Sequence, residues 1–147
     1  MSATSTPSAD TRGLAGQTVG DTSVCAVNQT QLIYRGYEIA DLAAHATFEE
    51  VAFLLLRGHK PSADELKAFD AELKAERGVD SETLDIIERI SNPSHDVHPM
   101  SILRTGVSLL SHRDPECEDN SAEAEQRKAL RMTAKIPTLI GACQAGR

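Results

Sequence analysis

Beyond residue 38 the apolar positions of this chain recur every three to four residues, the spacing of helices with one buried face. Before it they are shorter-ranged. Thr18 to Val27 alternate loosely and hold Val19, Val24 and Val27, and Leu32-Ile33-Tyr34 form a second β-prone run. Asn28-Gln29-Thr30 can turn between them, so a small β-hairpin is expected. From Glu38, the positions Ile39, Leu42 and Ala43 start a helical pattern. Thr47 with Glu50 has capping-box spacing, in which each side chain satisfies the other's backbone N–H. The helix it opens should bury Phe48, Val51, Leu54 and Leu55 and end at Gly58. Because the run from Val51 to Leu56 is apolar nearly all round, this helix should be deeply buried.

Ser62 with Glu65 repeats the capping box. Leu66, Phe69 and Leu73 follow on one face of a helix that stops at Gly78, with Asp64, Lys67, Asp70, Glu72, Lys74 and Glu76 on a solvated face. A helix near Asp80 or Ser81 uses Leu84, Ile87 and Ile90. Residues from Ser91 to Asp96 read as a loop by composition. Pro99 suits the first turn of a further helix, where its missing N–H costs nothing; Met100, Leu103, Val107 and Leu110 form its stripe. Arg113 to Asn120 is a charged loop. Ser121 starts the last helix, with acids in its first turn that suit the macrodipole. Leu130, Thr133, Ala134, Pro137, Ile140 and Gly141 follow, and Pro137 should kink it. The sum is a mainly α chain of five to six helices with one small N-terminal β-hairpin. There is no strand–helix alternation that would build a parallel sheet.

Composition narrows the picture. The 147 residues suffice for one domain with a sizeable core. Aromatics are 3% and Trp is absent, so aliphatic side chains must fill that core, which favours packed helices over a sandwich. A net charge of −7 argues against binding nucleic acid or an anionic membrane surface, both of which need basic patches. No stretch approaches the ~20 apolar residues of a membrane helix. Residues 1–12 are polar and Ser/Thr-rich and read as a disordered tail. Cys25, Cys117 and Cys143 are odd in number and far apart, which suits a reducing, cytoplasmic setting.

Candidate chemistry is sparse. Of the five histidines, His95 and His98 are three apart, but Pro99 separates loop from helix there and no Cys or paired Glu completes a metal site. His45 and His59 lie near helix ends, and His112 precedes a charged loop. No Gly-rich phosphate cradle occurs. Arg35, within Tyr34-Arg35-Gly36-Tyr37, could hold an anion or form a structural ion pair. These residues carry no catalytic group that the pattern alone assigns.

Several segments in order resemble one family. They are Gly13-Leu14-Ala15-Gly16, the motif from Tyr34 to Leu42, the helix from Thr47 to Leu56, Pro61 with Glu65-Leu66, Arg77-Gly78, and His98-Pro99-Met100 with Arg104-Thr105-Gly106. Together they are similar to the N-terminal part of citrate synthases and 2-methylcitrate synthases, over residues 13–147. The resemblance implies a portion of a helical large domain, with the small domain and the catalytic segments absent. It implies homodimers that condense oxaloacetate with acetyl-CoA or propionyl-CoA, with no bound cofactor and no metal. In that family an aspartate removes the thioester α-proton, one histidine stabilises the enol and another polarises the oxaloacetate carbonyl. The matching His-Gly-Gly and Gly-x-Gly-His-Arg segments do not occur in this chain. No catalytic residue is therefore carried over, and the chain alone is expected to be inactive. Lys74 matches a basic position that contacts substrate in some relatives. An alternative is a non-catalytic scaffold or regulatory subunit that associates with a full-length synthase. In the full enzyme that the resemblance implies, Leu54, Leu55, Leu103, Val107, Leu110, Leu130 and Ile136 would lie on faces covered by later helices or by a second subunit.

Overall fold

The structure, a computed structural model, describes residues 20–27, 30–92 and 97–145. The expected tail over residues 1–12, the Gly13–Gly16 motif, Asn28-Gln29 and the loop residues 93–96, with His95, lie outside the described residues. The described chain is mainly helical, with a small sheet at its N-terminal end.

That sheet has three antiparallel strands where two were expected. β1 (Cys25–Val27) pairs with β2 (Leu32–Tyr34), and β2 pairs with β3 (Tyr37–Glu38). The third strand exists because Arg35 and Gly36 form a two-residue turn with φ of 47° and 91°. Both central residues of a type I′ hairpin need positive φ, and such turns match the twist of the strands they join. Tyr34 and Tyr37 consequently face each other across the ladder. Arg35 makes none of the ion pairs found among the described residues. Its guanidinium instead donates to the Leu55 carbonyl at 3.2 Å and to Ser23 Oγ at 2.7 Å, tying the sheet to the last turn of the second helix. A cation is welcome at that helix's negative end.

Six helices follow among the described residues: α1 (Ile39–His45), α2 (Phe48–Arg57), α3 (Ala63–Glu76), α4 (Ser81–Ile90), α5 (Pro99–Ser111) and α6 (Ala122–Ala145). Their starts are set locally. Both capping boxes form, Thr47 with Glu50 and Ser62 with Glu65. Asp80 accepts from the Thr83 N–H and hydroxyl at the head of α4. His98 Nδ1 accepts from the Met100 N–H at 3.2 Å, so His98-Pro99 is a helix start in which the imidazole is the cap. Gly58 closes α2 at φ 89°. Where α3 ends, the cap is supplied from afar. Lys135 donates to the Gly78 carbonyl and Thr138 to the Arg77 carbonyl at 3.0 Å, both from α6.

α6 is the organising element and touches α2, α3, α4 and α5. On one side Ile87, Ile102, Leu110, Leu139 and Cys143 form a core between α4, α5 and α6. On the other, Phe53, Phe69, Leu73 and Ala134 form a second core between α2, α3 and α6, with Phe53 edge-on to Phe69 at 5.3 Å.

Several buried faces differ from the expected ones. In α2, Phe53 and Leu54 are buried, and Phe48 is 63% exposed at the helix start. A run apolar on all sides lets the partner helices choose the face. In α5 the buried stripe is Ile102, Gly106 and Leu110, while Met100 is 62% exposed. Gly106 explains the rotation: with no side chain there, Ile87 and Leu139 approach its backbone closely. Among the residues expected to await a cover, Leu54 and Leu110 are already buried, and Leu55, Leu103, Val107, Leu130 and Ile136 are half-buried.

The loop between α5 and α6 is held by a charged clasp. Arg131 grips Asp114 with two hydrogen bonds of 2.9 and 2.7 Å and also reaches Glu116 at 2.8 Å. Arg127 binds the same Glu116. The guanidinium hydrogen bonds of Arg127 and then of Arg131 hold the Glu116 carboxyl at about 2, against an ordinary 4.5. For Asp114, burial works upward, but the Arg131 hydrogen bond, the Glu116 N–H and the Arg131 charge together outweigh it, leaving the carboxyl below its usual range. A depressed carboxyl adds stability that is full above its unfolded value and is lost as the folded group protonates. The clasp should therefore contribute fully above about pH 4.5 and fade as pH falls towards 2. Arg131→Gln should raise the acid midpoint of unfolding while leaving Glu65, which is depressed by its own cap to about 2, unchanged. An acid titration followed by circular dichroism with the same midpoint in both proteins would count against the clasp.

Candidate functional site

Lys74, the one expected substrate-binding residue, stands on α3 with its side chain 60% exposed. Its ammonium pairs with Asp70 one turn earlier on the same helix. The structure places no other candidate beside it.

The side chains of three of the four described histidines have a partner within their own segment. His45 Nδ1 lies 3.0 Å from Asp41 Oδ1 along α1. His59 Nε2 lies 3.1 Å from Glu65 Oε1 and edge-on to Phe53 at 5.2 Å. His98 caps α5. Backbone and side-chain hydrogen bonds from Ser62, then His59, hold the Glu65 carboxyl at about 2. Such a carboxyl is a poor proton acceptor near neutrality.

Three clefts collect polar side chains. The first, at α1 and α2, has Leu42, Leu54 and Pro61 in its wall together with Asp41, His45, Glu50 and Lys60. A His–carboxylate pair can activate a hydroxyl or thiol, but no Ser, Thr or Cys is in this lining. Lys60 is moreover drawn over the Tyr37 ring, 4.4 Å from its centroid. The second cleft joins α3, α4, α5 and α6 and balances Arg113, Arg131 and Lys135 against Glu76, Asp80 and Asp114. Its cations are already engaged, Arg131 by Asp114, Arg113 by Glu82 and Lys135 by a carbonyl. The third has Phe53 and Phe69 as its floor, with His59, Glu65, Arg57 and Glu72 around it. Arg57 and Glu72 pair at 3.2 Å.

None of these three clefts joins a nucleophile, a base and an anion-holding group. Nor, among the described residues, do three or more His, Cys, Asp or Glu converge as a metal site. No helix among them is long and apolar enough to cross a membrane. The contacts that a pattern reading missed are structural. The Asp114–Glu116 clasp did have a signal, since Arg127 and Arg131 are four apart on one helix face, but their partners lie in the loop before that helix. A separate apolar groove runs between α5 and α6, lined by Pro99, Met100, Leu103, Ile140 and Cys143.

Comparison with known proteins places these elements. Residues 13–147 match the family model described as citrate synthase, C-terminal domain. The 2-methylcitrate synthase of Mycobacterium tuberculosis is 40% identical over 131 residues, 88% of this chain and 32% of that protein. Citrate synthase 2 of Bacillus subtilis is 41% identical over 133 residues, 90% of this chain and 35% of its own length. Among solved structures, the citrate synthase of Pyrobaculum aerophilum superposes with a TM-score of 0.77 at 27% identity, covering 88% of this chain and 34% of that one. The citrate synthase of Thermoplasma acidophilum, solved as a ternary complex with carboxymethyl coenzyme A and oxaloacetate, shares the fold with a TM-score of 0.73 at 17% identity. The chain thus spans about a third of the length of the curated relatives it matches. A match over residues 13–147, carried by six helices in the same arrangement, shows that the chain belongs to the citrate synthase family.

Proposed function

We propose that the protein containing these residues condenses oxaloacetate with acetyl-CoA or propionyl-CoA, giving citrate or 2-methylcitrate, as a cytoplasmic homodimer without a bound cofactor. The observation that carries this is the match of residues 13–147 to the citrate synthase family model, together with about equal identity to a 2-methylcitrate synthase and to a citrate synthase. Residues 13–147 form the N-terminal part of the large domain and act as scaffold, with Lys74 as their one contact to substrate. The proton-abstracting and carbonyl-polarising groups come from elsewhere, because a thioester α-carbon is acidic enough only when base and oxyanion donors are placed together. The clefts described above do not assemble that set.

The test is thiol release from acetyl-CoA and from propionyl-CoA in the presence of oxaloacetate. The 147-residue chain by itself should release none, and a protein that joins it to the family's remaining segments should turn over. Turnover by the pure 147-residue chain would overturn the assignment of the chemistry to other segments. One methylene in an apolar pocket changes preference by about 1–3 kcal/mol, so both thioesters should react, at rates differing by roughly 10–200-fold.

Lys74 is the substrate contact in this reading. In the active protein, Lys74→Met should raise KM with little change in kcat, and Lys74→Arg should restore much of the loss. Because Lys74 is exposed, folding stability should move by no more than about 0.5 kcal/mol. An unchanged KM in Lys74→Met would leave Lys74 as a partner of Asp70 only.

A second reading is supported by the exposed Met100 and Ile140 on α5 and α6. Here the chain is a scaffold or regulatory subunit that docks on a complete synthase. Reading the gene beyond codon 147 distinguishes the two: an in-frame His-Gly-Gly and Gly-x-Gly-His-Arg continuation supports the first, and a stop codon supports the second.

A further inference from the structure

We draw no further inference here: the strongest candidate, the apolar groove between α5 and α6 lined by Pro99, Met100, Leu103, Ile140 and Cys143, belongs to the association face already invoked for the proposed function, and nothing in the structure shows what covers it.

Discussion

Leu139→Ala should lower the stability of the chain by about 2–5 kcal/mol, the cost of deleting a fully buried leucine and leaving a cavity. Leu139 has no exposed surface and sits where α4, α5 and α6 meet. Its neighbour across the junction is Gly106. A Cβ at residue 106 would lie 3.0 Å from Ile87 Cδ1 and 3.3 Å from Leu139 Cδ1. Gly106→Ala sets two effects against each other. Helix propensity favours Ala by about 1 kcal/mol, while crowding costs about 1–3 kcal/mol. The Ile87 contact is the far end of a flexible side chain and can shift, so the balance should lie within about 1 kcal/mol of zero. Gly106→Val adds two more methyl groups with a stiff χ1, and should cost about 3 kcal/mol or more. Because valine would fill the space that Leu139→Ala opens, the double variant should be more stable than the sum of the single losses, by about 0.5–3 kcal/mol. Urea unfolding at one fixed protein concentration measures the four variants against the unsubstituted chain, since association would otherwise shift the midpoint. Strict additivity would show that residues 106 and 139 do not share a space.

What was legible in the sequence was local. Thr47 with Glu50, Ser62 with Glu65 and the Pro after His98 each act within one turn, so spacing alone identified the helix starts that form. Burial was less legible, because it depends on partners distant in sequence. Periodicity placed Met100, Leu103 and Val107 inward. The absence of a side chain at Gly106 turned α5 by about one residue and buried Ile102 instead. The same holds for Phe53 in the all-apolar run from Val51 to Leu56, where Phe69 of α3 decides. The third strand was hidden because it spans only Tyr37–Glu38 and depends on positive φ at Arg35, a residue that takes it rarely. The Arg127–Arg131 clasp was half legible, because the two arginines share a helix face but their acids lie within a loop whose shape no pattern gives. Family membership was legible because motif order survives where side-chain contacts cannot be read. Of a site, only Lys74 was legible, and among the described residues its ammonium meets Asp70 one turn earlier on its own helix.

Met100→Glu together with Ile140→Glu should convert the chain from an associating to a monomeric species. Met100 is 62% and Ile140 51% exposed, and both line the groove between α5 and α6. Exposed apolar area of this kind favours association when a few hundred Å² are contiguous. Exposed side chains contribute little to the fold itself, so the substitutions should leave helix content intact and unfolding free energy within about 0.5 kcal/mol per site. A carboxylate placed in an apolar contact, by contrast, must be desolvated without a partner, and association then fails. The unsubstituted chain should sediment above its 15.8 kDa monomer mass and bind a hydrophobic dye. The double variant should sediment as a monomer with weaker dye binding and the same far-UV spectrum. Since Phe48 and Val27 remain exposed in the variant, at 63% and 76%, they serve as the internal control. If association persists unchanged in the double variant and is abolished by Phe48→Glu, the N-terminal face carries the contact and the role given to α5 and α6 is wrong.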